Sequence, residues 1–507
     1  MTEEIDIAAP DDEVRGTAPL RVAVPLALVA GGAWALAAPP RGWWPLLSLG
    51  VAAWTIALYG RGLRARVLLG TASGVACFGP GLWWLNGFAV PGYVGIALLE
   101  TGMLAAAAAL VPAARTGRWA GGWWAAPLVL ALLDAAQTRF PFGGFPLPAL
   151  VLSQAGGPFA LAAPLGGSLL VTAAAAAAGV AVAAVVVLRA RARLIVVAGI
   201  TAALAVVLGT GAAITTTSAG TLDAAVVQGG GPRGLRAVFT DPQATTDRQF
   251  AAAQRITGRP DLVLFPENVV TVTGPVAGTA ADARTAALAR TLGAPVVVGV
   301  VEAEGSGFRN AAVLWGPDGR RLDRYEKQHR VPFGEYIPAR ALLERVTDLT
   351  ALVPRDAIVG QGPALLRSPA GPLGVVISYE VLFADRVRDA VTSGGRILLV
   401  PTNAASYTTE EVPAIELAAA RLRAREFGRT VLQAAPTGYS AVVLPDGTVV
   451  DRSGLGTPSL LRAQVPLRTG LTPYAATGDT PVLVLTGLVL LAVGAMARVR
   501  RRPGEGA

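Results

Sequence analysis

Three short runs in the second half of the chain end in polar groups able to do chemistry. In LVLFPEN (262–268), four apolar residues precede Pro266 and Glu267. That order sets a carboxylate at the mouth of a buried strand, as a proton acceptor or as a solvent-facing cap. Lys327, in YEKQHRVPFGEYIP (325–338), is the only lysine; the other 42 of the 43 basic residues are arginine. A guanidinium does not give up its proton and an ammonium can. A retained lysine therefore points to a compact cation or a proton-transfer group, the alternative being one exposed lysine left by chance. Glu335 and His329 share its loop, and His329, the only histidine, is expected to hold a structural hydrogen bond. In GVVISYEVLF (374–383), Ser378, Tyr379 and Glu380 follow a buried strand and precede a turn. Such a placement exposes a side chain at a sheet edge, as a nucleophile requires, although a tight turn also tolerates a small serine.

These three strand ends lie in a region, 222–468, where short β-branched runs alternate with amphipathic helical segments. Helices are expected near 241–257, 279–292, 385–393 and 411–427, and a hairpin turning at Pro317–Asp318–Gly319. That alternation predicts one layered α/β domain with buried sheets.

The rest of the chain is of another kind. Of 507 residues, 53% are hydrophobic and 15% charged, an excess of apolar side chains that excludes a purely soluble enzyme. Uncharged windows long enough to cross a bilayer fall at 20–38, 43–59, 67–86, 92–113, 119–136, 163–188, 194–213 and 480–497, predicting eight helical spans. Acidic residues precede the first, so it reads as a retained span and not a signal peptide. The domain plan is a tail at 1–19, seven helices over 20–213, the α/β domain at 222–468, an eighth helix at 480–497 and a basic tail at 498–507. Arg61, Arg64 and Arg66, then Arg115 and Arg118, then Arg189, Arg191 and Arg193, then Arg498 and Arg500–Arg502 follow the even-numbered spans. By the positive-inside rule these exits are cytoplasmic, which puts both termini inside and the α/β domain outside. The net charge of +9 is thus topological, and no nucleic-acid partner is expected. Glu100 falls inside the fourth span, as a helix-packing hydrogen bond or a substrate contact. The Gly/Pro-rich loop 137–162, with Ser153–Gln154, reads as a lateral lipid entrance or a plain re-entrant linker. A single cysteine, Cys77, excludes an internal disulfide, and no Cys/His cluster suits a metal.

FPEN, KQHRVPFGEYIP, SYE, RLRAREFGR (421–429) and TPYAATGD (472–479), in that order within this topology, resemble apolipoprotein N-acyltransferases, the integral-membrane members of the nitrilase superfamily. The resemblance covers nearly the whole chain and implies an extracytoplasmic αββα sandwich beside a multi-pass membrane domain. It implies Glu267 as general base, Lys327 as stabiliser of a tetrahedral oxyanion, and Ser378 at the position of the family's nucleophilic cysteine; with a serine there, a desolvated Lys327 that sheds its proton is the alternate base. Glu335, Tyr379 and Glu380 match accessory positions. Cys77, in the third span, is no substitute nucleophile. The pocket wall departs from the family too: Asn403–Ala404–Ala405–Ser406–Tyr407 replaces an Asn–Asp–Ala–Trp-like run, Pro436–Thr437–Gly438 an Asn–Thr–Gly-like one, and GGGPRG with Arg236–Ala237 an Asn and Lys–Trp.

The implied activity is transfer of a fatty acyl group from a phospholipid to the amino group of a diacylglyceryl-cysteine lipoprotein, through an acyl-enzyme and without a cofactor, at the outer face of the cytoplasmic membrane. A hydroxyl is a weaker acid than a thiol, so Ser378 makes two other outcomes real alternatives: a silent paralogue that binds lipoprotein or lipid or scaffolds a membrane partner, and a membrane-tethered amidase.

Overall fold

The computed structural model describes residues 19–111, 123–234, 240–345 and 347–499. The N-terminal tail, Arg115, Arg118, Arg236, Ala237 and the end of the basic C-terminal tail lie outside the described residues. Seven helices come first: α1 (Leu20–Ala37), α2 (Pro45–Leu58), α3 (Leu63–Gly81), α4 (Val90–Leu110), α5 (Ala126–Gln137), α6 (Ala163–Val187) and α7 (Ala190–Ala213). Each matches one expected span, and a further helix, Thr480–Val499, matches the eighth.

Among the described residues, four helical stretches are long and apolar enough to cross a membrane: Leu20–Ala37, Val90–Leu110, Pro158–Val187 and Ala190–Ala213. α2 and α5 are shorter, at 14 and 12 residues, roughly 20 Å of helix each. α3 starts earlier than expected and draws Arg64 and Arg66 into its first turn. α7 shows what faces outward, since Leu194, Ile195 and Val206 are 64–71% exposed. Large apolar side chains exposed on that scale suit hydrocarbon and not water.

Inside the helical domain, small residues set the spacing. Gly167 has φ +64°, and a Cβ there would come within 2.3 Å of the Tyr474 ring. The glycine breaks α6 and lets the segment before the last helix pack into the break. Buried polar groups pair across helices: Gln137 donates to Glu100 at 2.7 Å, and Thr172 donates to Asp134. Glu100 therefore bridges α4 and α5.

The α/β domain has two sheets. The first runs β14–β1–β2–β4–β5–β6, from β1 (Thr217–Gln228), β2 (Leu262–Leu264), β4 (Val296–Glu304), β5 (Gly307–Trp315), β6 (Arg321–Glu326) and β14 (Ser459–Thr469), with β3 (Val270–Val272) and β7 (Asp356–Ala357) paired off that path. The second runs β13–β12–β11–β10–β9–β8, from β8 (Leu365–Ser368), β9 (Gly371–Val375), β10 (Leu398–Pro401), β11 (Val431–Ala434), β12 (Ala441–Val443) and β13 (Val449–Arg452). The alternation of β1 shows how the layers stack. Ala224 and Val226 join a core that includes Leu264, Val375 and Leu399 of both sheets. Ala225 and Val227 face Phe250 of α8 (Pro242–Ala253) and Ala289 of α9 (Ala280–Leu292). The second sheet is covered by α10 (Ala384–Thr392) and α11 (Glu411–Phe427). The order is α8/α9, sheet, sheet, α10/α11. The expected helices and the β5–β6 hairpin all form.

α11 ties the two domains together. It packs on β11 and also on α6. Its Arg423 pairs with Glu426 in the buried layer, Ser168 of α6 donates to Glu426 at 2.6 Å, and Arg423 Nε donates to the Val381 carbonyl at 3.1 Å. The arginine-rich run 421–429 thus clamps the helical domain to the turn that carries Ser378.

Candidate active site

Glu267, Lys327 and Ser378 line one cavity of about 330 Å³. Each arrives at the end of a strand. Glu267 follows β2, and the close approach of its backbone is permitted because a Cβ at Gly299 of β4 would sit 2.5 Å from the Glu267 Cα. Lys327 follows β6, where its N–H donates to the Asn310 carbonyl at 2.8 Å. Ser378 opens a 3-10 turn after β9 with φ +51°, a left-handed conformation uncommon in a non-glycine residue. The turn throws the hydroxyl out of the sheet plane. Trp84, Leu85, Phe145 and Leu147 of the helical domain form the opposite wall.

The charges form a tight cluster. Lys327 Nζ lies 3.0 Å from Glu267 Oε1 and 2.7 Å from Glu335 Oε1. Asn310 Nδ2 donates to the same two oxygens, at 2.7 and 3.1 Å. Glu335 Oε2 accepts the Val331 N–H at 2.8 Å, closing the PFGE loop over the site. Burial alone would lower the Lys327 pKa, but Glu267 and Glu335 more than reverse that and hold it above its ordinary value. Both carboxylates thus favour the charged ammonium over the neutral amine. Burial pushes the Glu267 carboxyl up against the pull of Lys327, and the neighbouring Glu335 adds to the rise.

The accessory positions separate. Tyr379 lines the cavity and donates from its hydroxyl to the Gly144 carbonyl at 2.9 Å, joining the site to the loop after α5. Glu380 points away. It is fully buried and accepts from Tyr325 Oη, Gln328 N, His329 N and Ile377 N at 2.7–3.0 Å. One carboxylate thereby fixes the turn after Lys327 to the turn at Ser378. Glu380→Ala strands these buried donors, so the protein is expected to lose about 3 kcal/mol of stability. A fall in the unfolding midpoint in detergent measures it, and an unchanged midpoint argues against the strut. His329 bonds through its backbone, while its ring stacks on Phe383 at 4.1 Å. Cys77 is buried in α3, away from the cavity lining.

Sequence reasoning missed two side chains at this site, Glu416 and Thr402. Glu416 of α11 lines the cavity and is nearly fully buried. The Ser378 hydroxyl donates to its Oε1 at 3.0 Å, and Thr402 Oγ1 lies 2.6 Å from the same oxygen. Tyr407, in the run that departs from the family pattern, packs edge-on against Trp84 and Phe88 and closes the cavity toward the helices. A lone glutamate between Ile415 and Leu417 on an apolar helix face was the available signal for Glu416. Loop 137–162 folds into two buried turns, Leu150–Gln154 and Pro158–Ala162. Its exposed Phe142 meets the exposed Phe333 at 5.6 Å, outside the site.

Two sheets between helices, with a glutamate, a lysine and a serine at three strand tips beside a helical bundle, define a carbon-nitrogen hydrolase-type domain joined to a membrane domain. Residues 223–472 match the family model described as carbon-nitrogen hydrolase, and residues 30–181 match that described as apolipoprotein N-acyltransferase N-terminal domain. The apolipoprotein N-acyltransferase of Pseudomonas syringae pv. tomato is 30% identical over 501 residues, covering 92% of this chain and 96% of the relative. The chain belongs to the apolipoprotein N-acyltransferase family. The Mycolicibacterium smegmatis relative of the same name is 31% identical over 297 residues, 55% of this chain, and the match spans about half (49%) of that relative's length. Among solved structures, an amidase from Nesterenkonia sp. is 24% identical over 53% of this chain and 97% of its own, with a TM-score of 0.37.

Proposed function

We propose that the protein transfers a fatty acyl group from a phospholipid to the free amino group of a diacylglyceryl-cysteine lipoprotein, through an acyl-enzyme on Ser378. The observation that carries this is the composition of one cavity: Glu267, Lys327 and Ser378 on one side, and apolar side chains of the helical domain on the other. A lipid ester needs both walls, one to hold its chain and one to react with its carbonyl. Ser378 attacks the ester carbonyl and the lysophospholipid leaves. Lys327, a fixed ammonium, neutralises charge that develops on the carbonyl oxygen. Glu267 is a general base, and Glu335 keeps the ammonium in place. No step needs a metal or cofactor.

The eight helices are read as eight spans, with both termini cytoplasmic and the α/β domain outside. The basic exits of the even-numbered helices support that sidedness. With both substrates held in the same leaflet, a site against the membrane surface raises their effective concentration.

Full-length protein is mixed with phospholipid micelles and a synthetic diacylglyceryl-cysteine peptide, and the peptide is weighed by mass spectrometry. A gain of one acyl group is expected. If the natural protein adds none while Ser378→Cys does, the silent-paralogue alternative is the correct one.

A further inference from the structure

The geometry points to Glu416, which lies outside every motif run quoted above, as the general base of Ser378; this rests on the acyl-transfer function proposed above. The Ser378 hydroxyl makes no hydrogen bond to Glu267 or Lys327. Its partner is Glu416 Oε1, at 3.0 Å, within the reach that proton transfer requires. Glu267 Oε1 is already committed to Lys327 at 3.0 Å and Asn310 at 2.7 Å. Thr402 holds the acceptor in place, since its hydroxyl lies 2.6 Å from Glu416 Oε1 and 3.2 Å from Ser378 Oγ. α11 places the carboxylate there from its second turn, with Ile415 and Leu417 buried beside it.

A serine hydroxyl binds its proton more tightly than a thiol does, so a base in direct contact matters more for Ser378 than for a cysteine. Burial raises the Glu416 pKa to about 7, opposed by the Thr402 and Ser378 hydrogen bonds, raised further by Glu267 and lowered by Lys327. Tyr407 also faces it and stays protonated, raised by burial and by the Glu416 charge. A carboxylate ionised near neutral pH, yet more basic than usual, suits the task.

The step balances as follows. The Ser378 Oγ–H proton passes to Glu416 as Oγ bonds to the acyl carbon, and the carbonyl oxygen takes up the negative charge. Collapse breaks the bond from acyl carbon to glycerol oxygen, which receives the proton from Glu416 and leaves as lysophospholipid. In the second half the lipoprotein amine attacks the Ser378 ester and gives a proton to Glu267. The amide forms, the bond from acyl carbon to Oγ breaks, and Oγ takes up that one proton, handed on from Glu267 by way of Glu416, so that both carboxylates end as they began.

Five full-length proteins test this: natural, Ser378→Ala, Glu416→Gln, Ser378→Cys, and Ser378→Cys with Glu416→Gln. Acyl-enzyme is followed by intact mass in phosphatidylethanolamine micelles. Neutral hydroxylamine separates a serine ester, which resists it, from a cysteine thioester, which does not. Glu416→Gln is expected to slow acylation about 10²-fold or more. The double variant is expected to stay within about 10-fold of Ser378→Cys, because the more acidic thiol needs the base less. The natural rate should climb with pH through about 7 as Glu416 ionises, and the glutamine variant should lose that limb. If Glu416→Gln matches the natural rate while Ser378→Ala is dead, the base assignment is wrong and the acyl-transfer function stands. A double variant as impaired as Glu416→Gln alone makes Glu416 a packing residue and overturns the assignment. If the natural protein forms no acyl-enzyme at all, both fall.

Discussion

Ser378→Ala is expected to lower acyl transfer by about 10⁴-fold or more, with no acyl-enzyme detectable by intact mass. The size follows from the two-step chemistry. Without the hydroxyl there is no covalent intermediate, and transfer would need phospholipid and lipoprotein in the cavity together, where about 330 Å³ leaves little room. The substitution should hardly affect folding, because alanine removes one oxygen from a 7%-exposed residue and leaves Glu416 its Thr402 hydrogen bond. Activity and stability are thereby read separately. An alanine variant that still transfers acyl groups at near the natural rate would refute the nucleophile.

Lys327→Met should have the second largest effect, and on both counts. Methionine matches the length of the lysine stem but brings no charge, so Glu267 and Glu335 are left facing each other in a buried layer. Removing one partner of such a group costs about 3–5 kcal/mol, part of which is recovered when one carboxyl takes up a proton. Loss of the ammonium beside the developing oxyanion is expected to cost about 10²–10³-fold in rate. Because the folded-state pKa of Lys327 is raised, its stabilising contribution is complete below the ordinary lysine range and is lost only as pH rises through the higher folded value. The variant's midpoint should therefore lie below the natural one throughout the neutral range. A variant with unchanged midpoint and rate would remove Lys327 from the site. Lys327→Arg should rescue neither, since a planar guanidinium does not fit a pocket where the ammonium is 2% exposed.

The three strand-tip residues were legible because each is chemically out of place in its run: a carboxylate after LVLFP, the only lysine, and a serine after GVVI. The sheet order was not legible. Glu380 illustrates the difference, for the sequence marked it only as an accessory position beside Ser378. The turn aims it at the backbone of residues 328, 329 and 377, where it works as a strut.

Composition and periodicity by themselves determined that helices in an apolar domain precede an α/β domain, and which strand ends carry charge. Both follow from local rules, the lack of backbone partners in hydrocarbon and the two-residue repeat of a strand. Only the tertiary structure decided what Ser378 touches. Glu416 lies 38 residues along the chain and Thr402 24, and they meet the serine because β9 and β10 pair in parallel while α11 folds back over their ends. Hydrogen bonds act over about 3 Å, and sequence separation says nothing about distances of that size until strand register and helix packing have fixed them.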